Sequence, residues 1–400
     1  MEKVSPPTKE NPESEPGMEH PEVMPIGQTN NQRPAPLVWG SRQLRASLLT
    51  TTTLLIVGSG GYLLSQVFFN RHAPPPSPAV LASNDLLLES ATTTDVATPL
   101  HPLTGLTWTK APTSTRPFAV SIDNAPEARP QWGISRADIV INSLVEGGIT
   151  RLVVVFSSQN VNKIGPVRSA RPYFIRQTEN FKAIFVHSGG SAQALTILNK
   201  GVENVGDLDE FANGPYFWRT NTPAPHNLFS SSDLLAEASE KRGHSLGFTA
   251  TPLWQFSTST PDTLPTTTEV SIPYIMPSSA VRYQYNETSR TYDRSAGNAP
   301  HRDAANGVQL SPANVIIEFH PLVDIADPHN YGLVDFSYEG TGAFIALTQG
   351  KRVEGAWSRP KNGPTVYTTA IGEPLTLSPG QTFIEMIPTT MRDQVLNSLR

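Results

Sequence analysis

Arg168 and Arg171, three residues apart in GPVRSARPYF, set two guanidinium groups close together. Such a pair repels itself unless an anion lies between, and the planar guanidinium fork suits a carboxylate or phosphate bidentately. A helical turn beginning after Pro166 would place both on one face, with Ser169 between them. Arg151, beside the turn Glu146-Gly147-Gly148, can join the same cluster. The competing arrangement is internal: Glu146, Asp123 or Asp138 neutralises the arginines in a structural ion-pair network.

His187-Ser188-Gly189-Gly190-Ser191 reads as a strand end, a glycine turn and a helix start. Backbone N–H groups exposed at such a start favour an anion, although the two glycines serve equally as a plain strand-to-helix turn. The stretch lacks the closing glycine of a G-x-S-x-G nucleophile elbow and the lysine of a phosphate loop. Further on, FWRTNTPAPHNLFSS gathers Trp218, Arg219, His226 and Asn227 in one polar loop. It reads as a lip over a cleft, with Trp218 stacking on a sugar and Asn227 orienting a hydroxyl. The plainer alternative is a packed loop in which His226 bonds to backbone. Asp123 and Asn124, at the end of a strand-like run, complete the candidate set. With Asp123 or Glu146 as partner, His226 or His187 has the chemistry of a general base. His187, His226 and His301 show neither i, i+4 spacing nor an H-E-x-x-H frame, so no metal or other cofactor is expected. No triad signature surrounds Ser169, Ser188 or Ser191.

These groups sit at the ends of β-branched runs, which predict buried strands over 118–122, 139–145, 152–156 and 183–187. Glycine at 147 and 148 permits a tight hairpin turn. Helices are expected over 191–200 and 231–241, capped by Ser191 and Ser231. The Ser/Thr/Pro stretch 257–271 reads as a linker. Short alternating runs at 281–285, 314–318, 342–347 and 382–387 then predict a second, β-rich unit. The expected fold class is α+β: a mixed α/β unit over 102–256, then a smaller β-rich unit over 272–390.

The chain ahead of these units carries a different signal. Residues 46–69 are uncharged, about 36 Å long as a helix, enough for a hydrocarbon core of roughly 30 Å. Arg33, Arg42 and Arg45 precede the stretch, and no acidic residue occurs between Glu22 and Asp85. The positive-inside rule then predicts one transmembrane helix, with a disordered cytoplasmic tail at 1–45 and an extracytoplasmic body. A Pro/Thr-rich stalk over 70–101 would hold that body off the bilayer. An uncleaved signal anchor fits better than a cleaved signal peptide, because the leader is long and no A-x-A-like site follows.

Composition narrows the function classes. Of 30 basic and 35 acidic residues, six of each lie at or before Arg71, which leaves 24 against 29 in the remainder. That acidic surplus argues against a nucleic-acid partner. The 400 residues include no cysteine, which excludes disulfides, thiol catalysis and lipidation on cysteine.

The runs RPFAVSIDNAPEARPQWGISRADIVINSLVEGGITRLVVVF, KIGPVRSARPYF, IFVHSGGSAQAL and APHNLFSS together resemble the YerB-like family of bacterial envelope proteins. APHRD at 299–303, NVIIEF at 314–319, GKRVEGAW at 350–357 and PLTLSPGQTFIEMIP at 374–388 extend the resemblance to roughly 102–390. It implies a two-part body at the cell envelope, in members that are typically lipoproteins. The family has no assigned function, so it implies no catalytic residue. This chain departs from it in having a hydrophobic stretch where a lipidated cysteine would be. Two functions are then weighed: a module binding an anionic or polar wall glycan or peptide, and a hydrolase of envelope polymers. A third reading makes the charged cluster purely structural.

Overall fold

β-Branched runs without polar alternation form strands buried on both faces. A computed structural model describes residues 100–107, 116–247, 251–323, 325, 332–361 and 363–400. Its first half contributes β1 (Phe118–Asp123), β2 (Ile139–Leu144), β3 (Thr150–Phe156), β4 (Ile184–His187) and β5 (Gly206–Asp209). Every residue of β1 to β4 is buried. Between β2 and β3 the chain reverses through Glu146–Gly148, where Gly147 and Gly148 have φ of 72° and 71°. Helices α1 (Pro172–Glu179), α2 (Ala192–Asn199) and α3 (Ser232–Lys241) follow. As expected, Ser191 and Ser231 cap α2 and α3, each hydroxyl accepting a backbone N–H at 3.3 Å.

One local expectation is corrected. No helix starts after Pro166. Helix α1 begins only at Pro172, and Arg171 has extended backbone at φ −134°. The reason lies in the hydrogen bonds of 167–170, which lie along the end of β1: Arg168 N–H donates to Ser121 and Ala170 N–H to Gly189. Those bonds compete with a helical turn.

The second half supplies β6 (Glu269–Ile272), β7 (Val281–Asn286), β8 (Thr291–Ala296), β9 (Asn314–His320), β10 (Gly340–Thr348), β11 (Lys351–Arg359), β12 (Val366–Thr369) and β13 (Thr382–Pro388). Strands β6, β7 and β8 form a small antiparallel sheet with the edge pair Ala299–Pro300. The others join the first half in one ten-stranded sheet, ordered β12-β11-β10-β9-β13-β2-β3-β1-β4-β5. Strand β13 lies between the halves, parallel to both neighbours, and Ile384 faces Ile141 on one side and Ile316 on the other. The described residues therefore share one core and fall in one compact unit.

The expected stretch 257–271 overlaps β6, and just before it Gln255–Phe256 pairs with Thr376–Leu377. The expected tail at 1–45, the membrane span at 46–69 and the stalk up to residue 99 lie outside the described residues. Among the described residues no helix is long and apolar enough to cross a membrane.

Candidate functional site

Strands β1, β4 and β5 are parallel, and their carboxyl ends carry Asp123, His187 and Asp209. In open α/β sheets this is the edge where ligands bind. The segment 167–170 lies between the ends of β1 and β4, bonded to Ser121 on one side and to Ser188 and Gly189 on the other. It carries Arg168 over the end of β1. Arg151 faces Asp123 directly across the β1–β3 register.

At the centre is the carboxylate of Asp123, a residue only 1% exposed. Its Oδ2 lies 2.7 Å from His226 Nδ1 and 2.9 Å from Arg168 Nε. His226 arrives from the loop between the short paired strands Trp218–Arg219 and Leu228–Phe229. With Nδ1 turned to the carboxylate, His226 Nε2 makes no hydrogen bond within the described chain. The terminal nitrogens of Arg168 make none either, and that side chain is 25% exposed.

Arg171 grips Glu146 with both prongs, at 2.5 and 2.7 Å, and a further N–H donates to Ala170 O. Burial pushes the Glu146 carboxyl up, but the hydrogen bonds and charge of Arg171 outweigh it and hold the group below the usual glutamate range. Arg168 and Arg171 thus serve different carboxylates. Asp138, the third expected counter-ion, instead accepts from the backbone of Ser157 and Ser158.

Arg151 is the group left over. It is 5% exposed, its Nη1 donates only to Ser169 O at 3.1 Å, and its buried Nε has no partner. Burial and the charges of Arg171 and Arg168 push it down to about 10, against the pull of Glu146 and Asp123. Three guanidiniums therefore face two carboxylates.

A hydrogen-bonded rim continues from there. Ser188 Oγ donates to Glu210 Oε2, Arg219 donates to Glu210 Oε1, and Arg219 also donates to Asn227 Oδ1. Trp218, half-buried, packs against Phe229 instead of standing free over a cleft. His187 is turned away: it is fully buried, with Nδ1 on Gly189 O and Nε2 on Asp207, both at 2.8 Å. Both ring nitrogens are engaged, so the expectation of His187 as a ligand or base is corrected. Gly189 at φ 58° keeps its N–H on Asp209 Oδ1, its carbonyl accepts from Ala170 N–H, and Ser191 N–H donates to Ala170 O, with Gly190 opposite Ala170. The loop is thereby a hydrogen-bonded strand-to-helix turn.

Beneath the site runs a closed ring of buried polar side chains. Arg294 donates to His301 Nδ1, His301 Nε2 to Gln131, and Gln131 to Asn124 Oδ1 at 2.9 Å. Asn124 donates to Asn142, Asn142 to Glu385 Oε2 at 2.8 Å, and Arg294 closes the ring on Glu385 Oε1 at 3.4 Å. Gln131 also donates to Asp123 O, so the ring supports the strand end that carries the site. Asn124 belongs to this support and not to the surface. His301 accepts from a cation, so burial and the charges of Arg294 and Arg129 hold it well below the usual histidine range.

Sequence reading missed Gln131, Glu210 and Phe211. Glu210 links Ser188 to Arg219, and Phe211, 78% exposed, stands beside Gly189, where a Cβ would meet its ring at 3.1 Å. The run Asp207–Glu210 followed by an aromatic was the available signal. An apolar groove of about 750 Å³, lined by Leu264, Ile371 and Pro374 among others, is built by the second half. It contains none of the arginines above.

The fold and this charged strand edge define a two-part α/β protein of an established family. Residues 103–245 match the family described as Protein of unknown function (DUF3048) N-terminal domain, and residues 270–384 match its C-terminal domain. The chain belongs to this family. It is 34% identical over 291 residues to the Bacillus subtilis (strain 168) protein titled "Putative lipoprotein YerB", covering 72% of this chain and 86% of that protein. The crystal structure of YerB protein from Bacillus subtilis superposes with a TM-score of 0.63 at 33% identity, over 72% of this chain and 97% of that one.

Proposed function

We propose that this protein is an envelope binding module that holds an anionic group of a wall glycan or peptide against Arg168 and Arg151. The observation that carries this reading is the Arg151 guanidinium, buried with one hydrogen bond and flanked by two further arginines. Arg168 offers a half-open fork beside it, and His226 Nε2 adds a third polar contact. The body would work outside the membrane, tethered by residues 46–69, where the sequence has the length and flanking charge of a signal anchor. The relative titled a lipoprotein supports an envelope location, while the 400 residues here offer no cysteine for a lipid.

The test is thermal denaturation of the full-length protein with wall glycan fragments, wall peptides, citrate and phosphate. A ligand at 100 times its Kd adds about 2.7 kcal/mol, a shift of several degrees. That shift should vanish in Arg168→Ala. No shift with any of these compounds removes the reading.

One observation favours a hydrolase: the Asp123–His226 pair at 2.7 Å, which orients an imidazole with its other nitrogen uncommitted. In that case purified protein releases soluble fragments from cell walls, and His226→Ala stops the release without lowering the denaturation midpoint.

A further inference from the structure

Arg168 is fixed at its base and uncommitted at its tip. Its backbone N–H donates to Ser121 O at 2.8 Å, and its carbonyl accepts from Ser188 N–H at 3.0 Å. The next carbonyl, Ser169 O, accepts from Ser121 Oγ and from Arg151 Nη1, both at 3.1 Å. The side chain is then pinned by Nε on Asp123 Oδ2 at 2.9 Å. Its Nη1 and Nη2 make no hydrogen bond within the described chain. A guanidinium held this way keeps a free two-pronged edge and loses little freedom when a ligand binds.

His226 sets a second condition. Its Nδ1 lies 2.7 Å from the same Asp123 Oδ2. A carboxylate oxygen that accepts from Arg168 also accepts from the ring, so in the neutral imidazole the proton is on Nδ1. Nε2 is then a bare acceptor, on a side chain 18% exposed. The site therefore pairs two coplanar donors with one acceptor. Sulfate or a phosphodiester offers oxygens alone, which suit the fork but set a lone pair against Nε2. A sugar bearing a lactyl or uronic carboxylate has an ether oxygen on the carbon next to that group, again an acceptor.

We infer that the strand-end site takes the C-terminus of a peptide, with the free carboxylate on the Arg168 fork and the last amide N–H on His226 Nε2. This rests on the anion-binding reading of the same site and narrows it to one ligand chemistry. In a peptide a single carbon separates the terminal carboxylate from the last N–H. Arg168 and His226 share one oxygen of Asp123, so ligand and site each hold their two groups close together.

Calorimetric titration of the full-length protein tests this with four compounds. They are N-acetyl-alanyl-alanine in both stereochemical series, its C-terminal amide, its ester analogue with oxygen in place of the last N–H, and sulfate. The acid should bind, the amide about tenfold or more weaker and the ester analogue about tenfold weaker. Arg168→Lys, which keeps the charge without the fork, should weaken the acid about tenfold. In His226→Phe the acid and the ester analogue should bind alike, because the N–H then has no partner. The comparison of compounds needs no substitution, so it holds even where a variant fails to fold. Equal affinity of the acid and either its amide or its ester analogue in the parent overturns the inference. Sulfate binding as tightly as the acid also overturns it, while leaving the anion-binding reading in place. Absence of binding by all four overturns it too, and the anion-binding reading is then decided by glycan fragments and phosphate alone.

Discussion

Asn142 and Glu385 are partners in the parallel register of β2 and β13, and the Asn142 amide donates to the Glu385 carboxylate at 2.8 Å. The contact joins residues 243 positions apart and ties the first family segment to the strand at the end of the second. Glu385 is fully buried and also accepts from the hydroxyls of Tyr274 and Tyr283 and from Arg294. Burial lowers the Arg294 charge while Tyr283 and Glu385 raise it, and the net effect is an arginine more basic than usual. A buried charge pair of this kind stabilises little over an apolar core, but breaking it is costly.

Glu385→Ala should therefore destabilise the protein by about 3–5 kcal/mol, since Arg294 stays buried without its counter-ion. Glu385→Gln, which keeps an acceptor, should cost less. Urea denaturation at neutral pH measures both, and equal small losses would show the ring to be dispensable.

Stability should fall as the medium is acidified below about pH 6.5. His301 and His101 are held neutral by folding, with burial pushing His101 down to about 4. The unfolded chain takes up protons first, so their contribution is full above 6.5 and is lost as pH drops, for His101 over the window from 6.5 to about 4. Asp138 acts in the opposite sense. Burial raises it to about 6 against its bonds from Ser158 and Ser157, so the folded chain gains a proton before the unfolded one. Two histidines outweigh one aspartate, and denaturant midpoints measured across this range should decline. His301→Gln should flatten the slope; a profile identical to the parent would contradict this account.

Arg171 and Arg168 should differ in what their loss does. Arg171→Ala leaves Glu146 partly buried without its bidentate partner and should cost about 1–3 kcal/mol. Arg168→Ala leaves Asp123 still bonded to His226 and to the backbone of Ala125, so the cost should stay below about 1 kcal/mol. Thermal denaturation of the two variants side by side checks the order, and the reverse order would make Arg168 a structural residue.

Phe211→Ala should leave stability within about 0.5 kcal/mol of the parent, because the ring is largely exposed. If the strand-end site takes a glycan, the same change should weaken binding severalfold, the usual worth of an aromatic stacking contact. Calorimetric titration with wall glycan fragments decides it; unchanged affinity would place the sugar elsewhere.

Much of the strand content was legible because β-branched runs mark buried strands without reference to their partners. The runs at 118–122 and 152–156 became β1 and β3 with one or two residues added. Asp123 was named in one reading as a counter-ion for the arginines and in another as a partner for His226, and its carboxylate touches both Arg168 and His226. Two things were out of reach. The sharing of one sheet by both halves depends on β13 pairing with β2, a long-range choice that periodicity does not encode. The inward turn of His187 depends on Asp207, whose position across β4 and β5 is likewise a matter of register.

The central position of β13 has a consequence for how the chain is made. A polypeptide emerging from its amino end, through a ribosome or a translocation channel, holds β2 and β9 with a vacant lane between them until the last residues arrive. Maturation must then wait for the carboxyl end, and a chain clipped before Thr382 is left with two unzipped hydrogen-bonding edges inside its own core. A copy cut short of Thr382 should therefore be cleaved by proteases more readily than one that carries β13.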